Sequence, residues 1–390
     1  MRTLIPILTI LSLSLSAVTA AKRLDPADAE RRVAIPLGPP MQPNPQREAI
    51  IAVGHGARIL LSTDDGATWE QVFKGLPNGD HGPWSCKTVA YTDGVFVAIL
   101  GWGSVTTWLA TEDGYNWRHL TDGNTDFGQR NHENDPTAMP SVWGLGGAKG
   151  TFVGGASVEV TMTPDFGVTW HSTNLKRQFG KTGPRKLSMH HMGVSYLGET
   201  SGRFLAYADD RTRPQREVMV NLFASDDGGQ NWEWIQPTGL DDVENQFYKS
   251  MTILNGNPAM ITKNGDKLYL SEDGGESWTA YATGISAKRA DLSLVGNGLW
   301  VVTEQGSRAS IDGKNWRDLP SEIPLGKIIT TAAGTLINVN RHRFSILRST
   351  DQGQSWSEAY SYEGGDRRKL KGAQGLRDIQ VGKITAQPIR

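Results

Sequence analysis

The sequence predicts an all-β chain that folds as a seven-bladed β-propeller with four-stranded blades, closed by the C-terminal strand. Three observations lead to this prediction. A short turn-like motif occurs seven times along the 390 residues. The stretches between its copies alternate β-rich segments with turn residues, which is typical of repeated β-sheets. A further β-rich segment follows the last copy and has no partner within its own repeat.

The repeated motif consists of Ser or Thr, any residue, Asp, then Gly and finally Trp. The first copy runs from Ser62 to Trp69, and the second and sixth copies are one residue shorter. The seven copies end at Trp69, Trp117, Trp170, Trp232, Trp278, Trp316 and Trp356. Repeats at intervals of this size indicate propeller blades or solenoid units.

The residue types of the motif suit a hairpin turn. A Ser or Thr hydroxyl and an Asp carboxylate accept hydrogen bonds from the backbone N–H groups of a turn. Glycine adopts the positive φ that other residues resist. The Trp ring at the start of the outgoing strand packs against neighbouring strands. The motif therefore predicts a structural turn in each blade.

The segments between two motif copies account for the remaining strands of a blade. In the second repeat we predict strands over Thr88–Tyr91, Val95–Ala98 and Thr107–Ala110, with Asp93-Gly94 as the turn between the first two. The strand after the motif is the fourth, which gives the four-stranded unit of a propeller blade.

The two ends of the chain predict how the ring closes. Before the first motif there is room for a strand over Ala49–Val53 but no innermost strand, and after the last motif Leu376–Gly382 has strand character. Pairing of these two segments would complete one blade and remove the open edges.

The repeat resembles the Asp-box, or BNR repeat, of the sialidase-like superfamily of β-propellers. The resemblance covers about residues 47 to 387, nearly all of the predicted propeller at 47–390. It implies that each box lies on the turn between the third and fourth strands, away from the active site. It also implies a carbohydrate-active protein.

The N-terminus has the character of a signal peptide. Met1-Arg2 is followed by an apolar run from Leu4 to Val18, and Ala20 ends a small-residue cleavage pattern. The run is shorter than the ~20 residues of a membrane span, and no later stretch is long enough either. We therefore expect residues 1–20 to be removed and the protein to be secreted or periplasmic. Residues 21–46 are predicted to be a linker or wrapping arm.

Composition excludes several classes of function. The net charge of −1 argues against a nucleic-acid-binding protein. A single cysteine, Cys86, allows no intramolecular disulfide and no thiolate metal cluster. The sequence has no P-loop and no convincing dinucleotide fingerprint. We expect no cofactor, no metal and a monomer.

Strand order predicts which face carries the function. The loops from a fourth strand to the next first strand share one face with the loops between second and third strands, and the long insertions fall in these two classes. The predicted residues of this face are mostly basic, which favours an anionic ligand. Residues at the starts of first strands are Cys86, Lys87, Trp143, His190, His191, Lys249, Arg289, Asp291, Lys327 and Arg377. Residues of the second class are His55, Arg58, Trp102, Arg211, Arg213, Arg216, Glu304, Arg308, Arg341 and Arg343.

From these residues we select candidates for binding an acidic glycan. The cations pair with carboxylates, and the tryptophans stack on sugar rings. The substrate-binding candidates are Arg211, Arg341, Arg343, Arg289, Lys249, Trp102 and Trp143.

Three functional hypotheses follow. The first is a sialidase-like glycoside hydrolase, with Tyr248 or Tyr196 as nucleophile and Glu244, Glu304 or Asp135 as acid/base. The sequence departs from that family, because no Arg-Ile-Pro motif precedes the first box. The second is a polysaccharide lyase acting on uronate polymers. Its base would be His190, His191 or Tyr196, and Arg211 would neutralise the uronate carboxylate. The third is a propeller without catalysis that binds a protein or a glycan. Acidic carbohydrate is favoured over a protein partner.

Overall fold

The structure is a computed structural model. It describes residues 30–33, 41–55, 57–73, 86–101, 106–120, 142–180, 189–210, 220–240, 247–319, 322–340, 345–361 and 375–386. The description covers the backbone alone at 30–33, 189–191, 209–210 and 247–250. The predicted signal peptide lies outside the described residues.

Seven four-stranded antiparallel sheets form a ring, which confirms the predicted β-propeller. Blade 1 contains, from the inside outwards, β29 (Leu376–Thr385), β2 (Pro45–Gly54), β3 (Arg58–Ser62) and β4 (Glu70–Phe73). Blade 2 contains β5 (Cys86–Thr92), β6 (Val95–Leu100), β7 (Thr107–Thr111) and β8 (Arg118–His119). Blade 3 contains β9 (Gly144–Ala148), β10 (Thr151–Gly155), β11 (Glu159–Thr163) and β12 (Thr169–Asn174).

The remaining four blades follow the same order. Blade 4 contains β13 (Met189–Tyr196), β14 (Phe204–Asp210), β15 (Val220–Ser225) and β16 (Glu233–Ile235). Blade 5 contains β17 (Phe247–Leu254), β18 (Asn257–Thr262), β19 (Lys267–Leu270) and β20 (Thr279–Ala282). Blade 6 contains β21 (Ala290–Val295), β22 (Gly298–Thr303), β23 (Gly306–Ser310) and β24 (Arg317–Asp318). Blade 7 contains β25 (Lys327–Thr330), β26 (Leu336–Val339), β27 (Ser345–Ser349) and β28 (Ser357–Ser361).

The C-terminal strand closes the ring as predicted. β29 pairs antiparallel with β2, with Ile379 opposite Ala52 and Val381 opposite Ile50. The N-terminal end of the chain therefore receives its innermost strand from the C-terminal end. The same pairing satisfies the backbone of β2 along an edge that would otherwise be open.

Two elements lie outside the four-strand pattern. β1 (Glu30–Val33) pairs antiparallel with β12 and adds a fifth strand at the outer edge of blade 3. The helix α1 (Leu175–Phe179) follows β12, and its N-terminus is capped by the Asn174 side chain, which accepts a hydrogen bond from Arg177 N. No helix of the described residues is long and apolar enough to cross a membrane.

The seven motif copies form turns between the third and fourth strands of their blades. In blade 1 the Ser62 hydroxyl donates to Asp64 at 2.8 Å, and Gly66 N donates to the Ser62 hydroxyl at 3.0 Å. Gly66 has a φ of 76°. The indole nitrogen of Trp69 donates to the Gly66 carbonyl at 3.1 Å. The same indole contact recurs in the next four blades.

The hydrophobic core lies mainly between neighbouring blades. Ile51, Phe96 and Leu109 belong to one cluster of buried side chains from blades 1 and 2. Trp108 and Trp170 are both fully buried and meet edge to face, with ring centroids 4.9 Å apart. Because each interface needs side chains from two blades, the blades stabilise one another around the ring.

Candidate functional site

The seven innermost strands enclose a central channel of about 840 Å³. All seven run in the same direction, so their first residues lie at one end of the channel. The motif turns lie at the other end. We call the end where the innermost strands begin the mouth. The described residues of the mouth include Lys87, Trp143, Arg289, Asp291, Lys327, Arg377 and Asp378.

Lys87 is a buried amine that lines the mouth. The residue is only 6% exposed. Its Nζ donates to the Val142 carbonyl at 3.3 Å and lies 4.0 Å from the centre of the Trp143 ring. Burial, with a smaller contribution from the nearby positive charge of Arg377, lowers the pKa of this amine to about 7. Lys87 therefore changes its charge near neutral pH.

Arg289 and Asp291 form an ion pair on the opposite side of the mouth. The Arg289 Nη2 atom lies 3.0 Å from Asp291 Oδ1 and 3.2 Å from Oδ2. Both side chains are mostly buried. Two residues that are next-but-one neighbours in a strand lie on the same face of the sheet. This spacing explains why both side chains reach the channel.

Asp378 connects three blades at the mouth. It lies in β29 of blade 1, and its Oδ2 accepts hydrogen bonds from the Thr88 hydroxyl at 2.8 Å and from Val89 N at 3.1 Å. Its Oδ1 forms an ion pair with Lys327 of blade 7 at 2.5 Å. Ile379 N also donates to Oδ1 at 2.9 Å. The closing strand is thus tied to the blades on both sides.

A second group of basic side chains lies next to the mouth. His55 follows β2, and Arg58 is only 7% exposed at the start of β3. Burial lowers the pKa of His55, and the charges of Arg377 and Arg58 add to this effect. The part of this lowering that comes from Arg377 and Arg58 indicates a positive potential at His55. The described mouth is therefore positively charged overall, with the carboxylates of Asp291 and Asp378 engaged by Arg289 and Lys327.

The Tyr207 side chain is part of the channel wall although it belongs to a second strand. Gly193 lies opposite it in the register of β13 and β14. A Cβ atom on Gly193 would lie 2.3 Å from Tyr207 Cζ, so only glycine leaves room for the ring. The hydroxyl accepts a hydrogen bond from Met251 N at 3.1 Å, and burial raises the pKa of Tyr207. Sequence analysis missed this residue; the Gly–Tyr cross-strand pair is the signal that would have identified it.

The structure places several of the predicted site residues. Trp143 and Arg289 line the mouth as expected, together with Lys87, Lys327 and Arg377. Glu304 is exposed in the turn between β22 and β23, where its carboxylate accepts a hydrogen bond from Lys288 N at 3.1 Å.

Two of the expected positions differ. Cys86 was predicted beside Lys87 in the channel, but it is fully buried in the core between blades 1 and 2, since adjacent strand residues face opposite sides. Burial also raises the pKa of its thiol. Arg308 donates to Asp318 at 2.7 Å and to the Thr283 carbonyl at 2.7 Å. Arg308 was expected in the loop between the second and third strands, but it is the third residue of the third strand, β23.

For the other candidate site residues, the structure describes only the backbone or does not include them among the described residues. His190 and His191 belong to the first residues of β13, and Tyr248 and Lys249 to those of β17, with only the backbone described. Six further candidates lie outside the described residues: Trp102, Asp135, Arg211, Glu244, Arg341 and Arg343. Among the described residues, no group of three or more His, Cys, Asp or Glu side chains forms a metal site.

Comparison with known proteins identifies the fold. No protein-family profile matches the sequence, and no curated protein matches it. Among solved structures, YCF48 from Cyanidioschyzon merolae is similar over 80% of this chain and 96% of its own, with a TM-score of 0.53 and 14% identity. A candidate 6-phosphogluconolactonase from Bacteroides fragilis matches 86% of this chain and 98% of its own, with a TM-score of 0.54 and 10% identity. The GH74 enzyme of Niastella koreensis matches 86% of this chain and 65% of its own, with a TM-score of 0.39 and 14% identity. At these identities the similarity extends to the propeller fold alone.

Proposed function

We propose that the mouth of the channel binds a carboxylated sugar of an acidic glycan. One observation carries the proposal: four basic side chains and two carboxylates meet at one end of a concave channel. The excess of positive charge in a partly desolvated cavity attracts anions more strongly than the same charges on an open surface. The basic side chains are Arg289, Lys327 and Arg377, which are charged, and Lys87, which is partly charged near neutral pH.

Trp143 supplies the second element of such a site. Its ring lines the mouth beside Lys87. Aromatic rings offer a flat apolar surface on which a sugar ring packs, while neighbouring cations bind its carboxylate. The combination favours a sugar acid over a simple inorganic anion.

Calorimetry with matched glycans tests the proposal. We expect sialyllactose or an oligouronate to bind and neutral lactose not to bind, and the affinity should fall as salt is added. Arg377→Gln and Trp143→Ala should each weaken binding by about tenfold, or ~1.4 kcal/mol. Arg317→Gln, an exposed change in β24, is the matched control. Equal binding of the acidic and neutral sugars would overturn the proposal.

We further propose that the protein is a sialidase-like glycoside hydrolase. Tyr248 lies at the start of β17, the innermost strand of blade 5, and Glu244 precedes it in the chain. The backbone position of Tyr248 at the mouth supports a nucleophile there, and the sequence offers Glu244 as its partner. Release of the fluorophore from a fluorogenic sialoside, lost in Tyr248→Phe, is the expected result. Binding without turnover would leave a glycan-binding propeller. Formation of unsaturated uronates would indicate the lyase.

The predicted export of the protein completes the proposal. The apolar N-terminal segment and the small residues before Ala21 support removal of residues 1–20. Expression of the full chain followed by N-terminal sequencing of the exported product should give Ala21 as the first residue. A product that retains the apolar segment would contradict this prediction.

A further inference from the structure

Lys87 combines two features of a reactive amine, because its side chain is buried and it lines the channel. It is the second residue of β5 and lines the mouth, yet it is only 6% exposed. The Val142 carbonyl and the Trp143 ring hold Nζ at 3.3 Å and 4.0 Å respectively. A long, flexible side chain is thereby fixed in one position against the channel. An amine in that position faces any small molecule that enters the mouth.

The surroundings of Lys87 favour its neutral form. Two charged groups of β29 line the same mouth, the guanidinium of Arg377 and the carboxylate of Asp378. The imidazole of His55 lies near Arg377, and the uncharged Trp143 ring comes from the residue just before β9. The ring favours the ammonium form. Burial is nevertheless the largest influence, and with Arg377 it brings the pKa to about 7. Desolvation and a neighbouring cation are the two means by which proteins make a lysine nucleophilic.

We propose that Lys87 forms a reversible imine with an anionic carbonyl compound, of which a 2-oxo acid is the simplest. The inference rests on the proposed function in one respect, because it uses the same positive mouth to hold the anion. Arg377 lies close enough to Lys87 to influence its charge. We therefore assign the carboxylate of the ligand to Arg377 and the adjacent carbonyl carbon to Lys87.

The step balances without a cofactor or an oxidant. The lone pair of the neutral Lys87 Nζ attacks the carbonyl carbon, and the carbonyl oxygen takes up a proton. The nitrogen loses a proton, which gives a neutral carbinolamine. Expulsion of the hydroxyl group as water, with one proton gained from solvent and one lost from nitrogen, leaves a C=N bond. One water molecule is released for each imine formed, and hydrolysis reverses the step.

Reductive trapping tests the inference. The intact protein is incubated with pyruvate, reduced with borohydride and mapped by peptide mass spectrometry. We expect the reduced adduct at Lys87 and a rise in trapping with a midpoint near pH 7. Lys149 serves as a control within the same sample, since its ion pair with Glu199 raises its pKa and it lies at the opposite face. Its peptide should remain unmodified.

Two variants and a neutral probe sharpen the test. Lys87→Arg keeps a basic side chain at this position but removes the nucleophilic amine, so it should abolish trapping. The melting temperature shows whether the variant folds. Arg377→Gln should reduce trapping of pyruvate by about tenfold but trapping of neutral hydroxyacetone much less. If Lys87→Arg does not fold, the position of the adduct in the wild-type protein still tests the proposal. Adducts spread evenly over surface lysines, or equal trapping of pyruvate and hydroxyacetone, would overturn the inference.

The outcome is separable from that of the glycan experiment. Acidic glycans that bind while Lys87 is never trapped would disprove the imine and leave the proposed function intact. Trapping of pyruvate at Lys87 without binding of any acidic glycan would support the imine and disprove the glycan proposal.

Discussion

Replacing Asp378 with alanine should weaken the ring where the two ends of the chain meet. The carboxylate accepts hydrogen bonds from the Thr88 hydroxyl and from Val89 N, and both residues are buried. Each donor left without a partner costs about 1–3 kcal/mol. The Lys327 side chain is 43% exposed, so loss of that ion pair adds at most about 1 kcal/mol. Together these effects predict a destabilisation of about 2–7 kcal/mol.

Thermal unfolding followed by circular dichroism measures this effect. In a domain of about 340 residues 1 kcal/mol corresponds to a shift of ~1.4 °C, so the melting temperature should fall by at least ~3 °C. Asp318→Ala is the matched control, because its ion pair with Arg308 lies on an exposed edge, and it should leave the melting temperature nearly unchanged. Equal shifts in the two variants would refute the role given to Asp378.

Three further predictions concern the turns and the closing strand. Gly66→Ala should destabilise the protein by about 2–3 kcal/mol, because φ is 76° and the new Cβ would lie 2.3 Å from Ile337 Cδ1. Gly228 has the same φ, but no atom lies within 4 Å of the position of its Cβ. Gly228→Ala should therefore cost only about 1 kcal/mol in the same melting assay. Hydrogen bonds from Ser355 lower the pKa of Asp351 to about 2. The ionised carboxylate therefore contributes fully to the free energy of unfolding above pH ~4, and this contribution is lost as the pH falls towards 2. Asp351→Asn should therefore flatten the loss of stability between pH 4 and pH 2 in urea unfolding, and an unchanged slope would contradict this. A chain that ends before β29 leaves the edge of β2 open and should aggregate in size-exclusion chromatography, whereas a monomeric folded product would disprove closure by this strand.

The fold was predictable because the sequence motif that specifies each blade is short and occurs seven times. Each motif copy specifies its own turn through residues within eight positions, as in Ser62–Trp69. The Asp93-Gly94 turn was equally recognisable, and both residues have positive φ in the structure. Seven independent copies fix the number of blades, and the unpaired C-terminal segment fixes the closure. The N-terminal strand β1 was not predicted, since four residues at a sheet edge carry too weak a pattern.

The site was predictable in position but not in detail. The rule that innermost strands begin at one end placed Lys87, Lys327 and Arg377 together. The rule is silent on which of two adjacent residues faces the channel, and this led to the wrong placement of Cys86. The same rule does not predict contacts between residues that are distant in the sequence. The hydrogen bond between Thr88 and Asp378 joins residues 290 positions apart, and no local pattern marks either partner.

The closing strand links the stability of the ring to the chemistry of the mouth. β29 carries Arg377 and Asp378 into the site, and Asp378 holds Lys327 and the start of β5, the strand that contains Lys87. The mouth therefore exists only when the last strand has joined the first blade. It follows that a change which loosens β29 should reduce anion binding and imine trapping at temperatures below the melting transition. A change of similar energetic cost in a motif turn at the other end of the channel should leave both intact until the whole ring unfolds.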